Sequence, residues 1–338
     1  MTRTDAATDG TSSGHQAPRP STVVYITGSG RSGSTLLERI LGAVPGFVNV
    51  GELIDLPRRV VQHDELCGCG AAFSACPFWQ GVGARAQGGW DDDAVAELHR
   101  LQRRVARQRH LPGLIAPALA DERARRDRER YAASYAGIYR AVLAESAARV
   151  VVDASKRAAH GLALSCDPAI DLRLIHLVRD ARGVAFSWAK TDVQRPQGGA
   201  PEATMSRLAP HVTSGRWVAL QAEIAAVRRR VTHSTLVRYE DLVADPAATV
   251  TRALADVGLA LGEDDLRHLA GDTVDLPASH GLSGNPSRMR TGPQRLRLDE
   301  QWRRDMPRRD RLVTTAIAAL PLARFGYLPV AARSRRTS

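Results

Sequence analysis

Between Thr22 and Gly42 the chain reads TVVYITGSGRSGSTLLERILG, and this stretch limits the fold more than any other. Thr22 to Ile26 is a β-branched apolar run, the mark of a short strand. Leu36, Leu37, Ile40 and Leu41 recur at helical spacing. Between strand and helix lies Gly28-Ser-Gly30-Arg31-Ser32-Gly33-Ser34-Thr35, two glycines with four residues between them and two hydroxyl residues after. Backbone N–H groups of such a loop converge with a helix N-terminus and form an anion cradle. Its glycines let the main chain come close to the anion. The lysine that reaches the β- and γ-phosphates in a Walker A loop is replaced here by Ser34. The cation has moved inside the loop, to Arg31, whose planar guanidinium can fork two oxygens of a phosphate or sulfate.

Further strands follow the same logic. Phe47–Val50 precedes Gly51-Glu52; Val150–Val152 runs into Asp153-Ala-Ser-Lys156; Leu172–Val178 ends at Arg179; Thr235–Val237 ends at Arg238-Tyr239. Helices are predicted over Ala181–Lys190, with Asp180 as N-cap, over Trp217–Arg230 and over Pro246–Leu259. Two Ala/Arg/Glu-rich helices, Trp90 to about Arg109 and Asp121–Arg149, form a helical insertion between strands. Gln194–Pro210 reads as a Gly/Pro-rich loop, and the chain beyond His280 is irregular. Alternating strands and helices predict an α/β fold: three layers, P-loop-like, a central mostly parallel sheet flanked by helices. Ligands of such sheets bind outside the carboxyl ends of the strands. Glu52, Lys156, Arg179 and Tyr239 are therefore delivered to one rim, beside the Gly28 loop.

The net charge of +11 points to acidic partners, but 45 of the 47 basic residues are arginine, a skew that a GC-rich genome produces. No apolar stretch is long enough to span a membrane. The polar Met1–Pro20 segment lacks the apolar centre of a signal peptide and reads as a disordered leader, so a cytoplasmic location is expected. Residues 21–330 are read as one domain and 331–338 as a flexible tail. Cys67, Cys69 and Cys76 cluster in CGCGAAFSACPFW, with Cys166 about 90 residues on. Their spacing is not a standard zinc pattern. Packing thiols, a zinc site and a redox pair all remain open.

The segment LIHLVRDARGVAFSW carries Arg179 at a strand end and Ser187 two helical turns later. Together with GSGRSGSTLL it resembles the sulfotransferases that use 3'-phosphoadenosine-5'-phosphosulfate (PAPS). The resemblance continues in VVDASK, VRYEDL and HGLSGNPSRMRTGP, covering roughly residues 22 to 305. It is similar to the bacterial branch nearer the carbohydrate and tyrosylprotein enzymes than the cytosolic phenol type. The resemblance implies that Gly30, Arg31, Ser32, Gly33, Ser34 and Thr35 hold the phosphosulfate end, and that Arg179 and Ser187 hold the 3'-phosphate. It implies donor contact for Tyr239, and closure over the 3'-phosphate by Arg288, Arg290 and Gly292. It also implies a catalytic glutamate, Glu52, and puts Lys156 near the transferring group.

Sulfuryl transfer needs an aligned donor, stabilised leaving-group charge and a proton acceptor. Arg31, Lys156 and the loop N–H groups serve the first two; Glu52 is the expected base, His280 the runner-up, and Asp153 could orient Lys156. PAPS is the expected cosubstrate, with no metal. The expected acceptor is a hydroxyl or amine of a small molecule, carbohydrate or lipid. No nucleic-acid partner is expected, since the few aromatics form no stacking platform; peripheral membrane contact and any oligomeric state stay open. The competing reading is a P-loop-like kinase or other nucleotide-dependent transferase, which lacks its lysine here.

Overall fold

The computed structural model describes residues 19–190 and 208–328. The expected leader and tail fall mostly outside these residues, as does most of the Gln194–Pro210 loop.

Five parallel strands form the central sheet: β1 (Ser21–Gly28), β2 (Phe47–Gly51), β3 (Val150–Lys156), β4 (Ile170–Val178) and β5 (His233–Arg238), in the order β2-β3-β1-β4-β5. β1 lies in the middle and pairs with β3 on one side and β4 on the other. Strands buried on both faces must be apolar on both, and β1 meets that demand. Val23 and Tyr25 enter one core, Val24 and Ile26 the other.

The first core is covered by α2 (Pro77–Gln87), α3 (Asp92–Val105), α4 (Glu122–Ser146), α5 (Ala158–Leu164) and the C-terminal half of α7 (Pro210–Arg228). Asp91 and Asp121 cap α3 and α4 by accepting from the N–H groups three residues on, at 2.8 and 2.7 Å. The expected insertion helices thus form much of one outer layer. Tyr131, Tyr135 and Tyr139, one helical turn apart on α4, turn a single face inward. The second core is closed by α1 (Ser34–Gly42) together with α8 (Tyr239–Ala244) and α9 (Pro246–Asp256). Between α5 and α7, α6 (Ala181–Ala189) starts at Asp180, whose carboxylate accepts from Arg182 N–H at 2.8 Å.

The sequence pattern does not announce α2, α5 and α8; the other differences lie at element ends and in the C-terminal part. α7 begins at Pro210, two turns before Trp217, because proline suits the first helical position. The irregular C-terminal part contains a small antiparallel sheet, β6 (Leu269–Ala270), β7 (Thr273–Leu276) and β8 (Gly292–Arg295), and then three short helices. No helix among the described residues is long and apolar enough to cross a membrane.

The C-terminal segment is tied to the first helix by one buried cation. Arg39 of α1, 3 % exposed, donates to the carbonyls of Pro277 (2.6 Å), Ser287 (3.3 Å) and Arg290. Its neighbour Glu38 is equally buried and accepts from Asn49 Nδ2 at 2.9 Å. Burial outweighs that hydrogen bond and pushes the Glu38 carboxyl up to about 7 from its ordinary 4.5. The folded chain keeps this proton where the unfolded chain has lost it, so stability falls as pH rises from 4.5 through 7. That costs on the order of 3 kcal/mol above pH 7. Glu38→Gln keeps an acceptor for Asn49 and removes the titration. Urea unfolding should show the variant more stable than the parent at pH 8 and nearly equal to it at pH 4.5.

Candidate active site

The carboxyl ends of β1, β3 and β4 and the residues just after β2 and β5 open into one cleft of about 370 Å³. β1 feeds the glycine loop, which turns into α1 at Gly33. Gly33 is left-handed (φ 87°), and a Cβ there would stand 2.5 Å from the Tyr239 ring, so only glycine fits. Arg31 is also left-handed (φ 69°), with its guanidinium 5.5 Å from the centre of the Trp188 ring. Trp188 in turn donates to the Gly30 carbonyl at 3.3 Å.

At the end of β3, Lys156 is a second cation in left-handed backbone (φ 66°). Such a conformation costs of order 1 kcal/mol and survives where the surroundings enforce it. Here Thr27 Oγ1 donates to the Lys156 carbonyl at 2.7 Å. The Lys156 ammonium forms an ion pair with Glu52 Oε1, both side chains being less than one-fifth exposed. Glu52 is fixed through its main chain, its N–H donating to the Leu282 carbonyl at 2.8 Å. The preceding Gly51 (φ 78°) has no room for a Cβ, which would lie 2.1 Å from that same carbonyl.

Arg179, at the end of β4, is buried and closes the far side. Its Nη1 donates to the Arg31 carbonyl at 3.0 Å; its Nη2 meets the Asp299 carbonyl (2.9 Å) and carboxylate (3.1 Å). The guanidinium lies 4.6 Å from the Tyr239 ring centre. Burial works against the charged Asp299, but its hydrogen bond and proximity to Arg179 hold it below the usual carboxylate range.

Of the residues expected from the sequence, Gly30, Arg31, Gly33, Ser34, Thr35, Glu52, Lys156, Arg179, Ser187 and Tyr239 line this cleft. Ser32 is wholly buried. Arg288 is 4 % exposed and donates to the Leu66 carbonyl at 2.8 Å; Arg290 offers its carbonyl to Arg39; Gly292 begins β8. None of these three lines the cleft. Asp153 sits beneath it and accepts from Tyr139 (2.6 Å) and from Ser155 N–H (2.7 Å). Burial pushes the Asp153 carboxyl up to about 6. Ser155 Oγ accepts from Ile54 N–H at 3.0 Å, so Asp153 braces the chain just after Glu52. His280 is outside the cleft, its Nδ1 3.6 Å from Cys67 Sγ and 3.5 Å from Cys76 Sγ.

The sequence reading missed Asp55, Trp188, Ser283, Gly284, Asn285, Ser287 and Asp299, all of which line the cleft. Trp188 had a signal, one residue beyond Ser187 on the same helix. The others arrive from loops and from single 3-10 turns, Leu53–Asp55 and Pro286–Met289, too short to show a periodicity.

The profile of the sulfotransferase family matches residues 23–263. The chain belongs to this family. Human carbohydrate sulfotransferase 5 is 26 % identical over 192 residues, 49 % of this chain and 43 % of that protein. The chain thus matches less than half the length of this curated relative. Among solved structures, the sulfotransferase domain of the Synechococcus PCC 7002 olefin synthase is similar at a TM-score of 0.49 and 20 % identity, covering 93 % of this chain and 98 % of that one. The sulfotransferase domain from the curacin biosynthetic pathway gives 0.47 and 16 %, over 89 % and 98 %.

Proposed function

We propose that this sulfotransferase moves the sulfuryl group of PAPS to a hydroxyl, with Glu52 as base and adenosine 3',5'-bisphosphate as the leaving product. The observation that carries this reading is one cleft with a glycine-loop cradle, the Lys156–Glu52 pair and the buried Arg179 all on its walls. Loop N–H groups and Arg31 hold the phosphosulfate; Arg179 and Ser187 take the 3'-phosphate. As the acceptor oxygen bonds to sulfur, the bond from sulfur to the bridging oxygen of the 5'-phosphate breaks. The acceptor proton passes to Glu52. Charge building on the departing phosphate is offset by Lys156, Arg31 and the helix N-terminus.

A second cleft, of about 580 Å³, shares Asp55 with the first and is lined by Arg58, Arg103, Arg107, Arg109 and Arg157. Five guanidinium groups facing one space favour an acceptor that carries negative charge of its own. An anionic sugar or acidic metabolite fits better than a neutral phenol. Arg107→Ala should raise KM for such an acceptor about tenfold, with a smaller effect on kcat.

The donor is tested by thermal shift. Adenosine 3',5'-bisphosphate at a hundred times its Kd should stabilise the protein by about 2.7 kcal/mol, whereas ATP with Mg²⁺ should do far less. Equal stabilisation by both would return the kinase reading. Asp299 now holds the guanidinium that the 3'-phosphate would use, so Asp299→Asn should tighten bisphosphate binding severalfold in calorimetry.

A further inference from the structure

The cysteine cluster holds a fourth ligand that the sequence spacing conceals. Cys67, Cys69 and Cys76 meet His280, more than 200 residues away, and the four donor atoms lie within 4.8 Å of one another. Cys166 has no part in it; its Sγ donates to the Leu162 carbonyl. The separations are Cys67 to Cys76, 3.7 Å; Cys69 to Cys76, 3.8 Å; His280 Nδ1 to Cys67, 3.6 Å, and to Cys76, 3.5 Å. A tetrahedral zinc ion with bonds of about 2.3 Å to sulfur and 2.0 Å to nitrogen requires sulfur–sulfur edges of about 3.8 Å and sulfur–nitrogen edges of about 3.5 Å. Four of the six edges already have these lengths.

We propose that Cys67, Cys69, Cys76 and His280 bind one structural zinc ion, exchanging three thiol protons for the metal. Surrounding groups suit that role. The His280 ring is stacked on Phe78 at 4.4 Å, and its carbonyl accepts from Trp79 Nε1 at 2.8 Å. The stacking fixes the plane of the ring and the hydrogen bond fixes the main chain that carries it, as outer groups of metal sites do. Three thiolates and a divalent ion leave a net charge of −1, and the buried Arg288 guanidinium stands nearby, donating to the carbonyl of Leu66, the residue before Cys67, at 2.8 Å. All four ligand positions being filled by protein, the site is closed and does no chemistry. Its effect is mechanical: it joins the chain near Cys67 to the segment that continues into Ser283–Asn285 on the cleft wall.

Metal analysis of the full chain, purified under reducing conditions without chelator, should find one zinc per chain. Cobalt titrated into the stripped protein should give an intense thiolate-to-cobalt charge-transfer band and tetrahedral d–d bands. Cys69 is exposed, so Cys69→Ser should fold yet bind cobalt at least about tenfold more weakly. His280→Ala should leave the charge-transfer band but shift the d–d bands. Absence of zinc in the parent together with no cobalt charge-transfer band in the reduced protein overturns the proposal. So does a Cys69–Cys76 disulfide in the freshly isolated protein with metal content unaffected by either substitution.

Discussion

Glu52→Gln should lower kcat for sulfuryl transfer by about 10² to 10⁴, the range that a positioned general base contributes. The amide keeps the size of the side chain and the main-chain link to Leu282, while removing the site that accepts the proton. It also breaks the ion pair with Lys156, freeing that ammonium toward the leaving phosphate. Affinity for adenosine 3',5'-bisphosphate should therefore stay within about threefold of the parent, since in the proposed mechanism the product is held by the loop and Arg179 rather than by the base. Steady-state rates with labelled PAPS and calorimetry with the bisphosphate separate the two quantities. A variant that kept the parent's kcat would remove Glu52 from the mechanism. Lys156→Ala serves as the companion, because it should lower kcat while leaving an intact carboxylate.

Arg179→Ala should weaken bisphosphate binding by about 10² or more. Removing one member of a buried, hydrogen-bonded charge pair costs about 2–5 kcal/mol. Arg179 touches the Arg31 carbonyl, Asp299 and the Tyr239 ring at once, so its loss also loosens the cradle. Arg179→Lys separates charge from shape. A lysine keeps the cation without the planar fork, and should recover only part of the affinity. Melting of both variants without ligand controls for folding. Equal binding by parent and alanine variant would mean that the 3'-phosphate is held elsewhere.

How much of this could be read from the sequence follows from where each signal is encoded. The strand-loop-helix unit and the strand ends at Lys156 and Arg179 are local, and periodicity with a few glycines reveals them. The sheet order brings these ends together without any further information in their side chains. Asp299 and Ser283–Asn285 reach the cleft on irregular segments, held by single contacts such as Ser283 Oγ to Asp55 at 2.8 Å. A contact between residues 228 positions apart leaves no periodic trace. The same blindness explains His280. As a lone histidine in an irregular stretch it could be imagined as a base, while its thiol neighbours were invisible from 200 residues away. Arg288 and Arg290 illustrate a different limit. An arginine-rich segment looks like an anion site, but Arg288 lies buried against the Leu66 carbonyl, the Arg290 main chain accepts from Arg39, and neither lines the cleft.

The single-residue bridge between Gly51 and Leu282 has a bearing on how the chain folds. Leu282 N–H donates to the Val50 carbonyl at 2.9 Å, and its own carbonyl receives the N–H of Glu52. Closing a loop of some 230 residues is slow compared with forming the neighbouring strands. The parallel sheet can therefore assemble first, with the Glu52 main chain still unanchored. Catalytic competence should emerge as a separate late phase during refolding, after the helical signal has recovered.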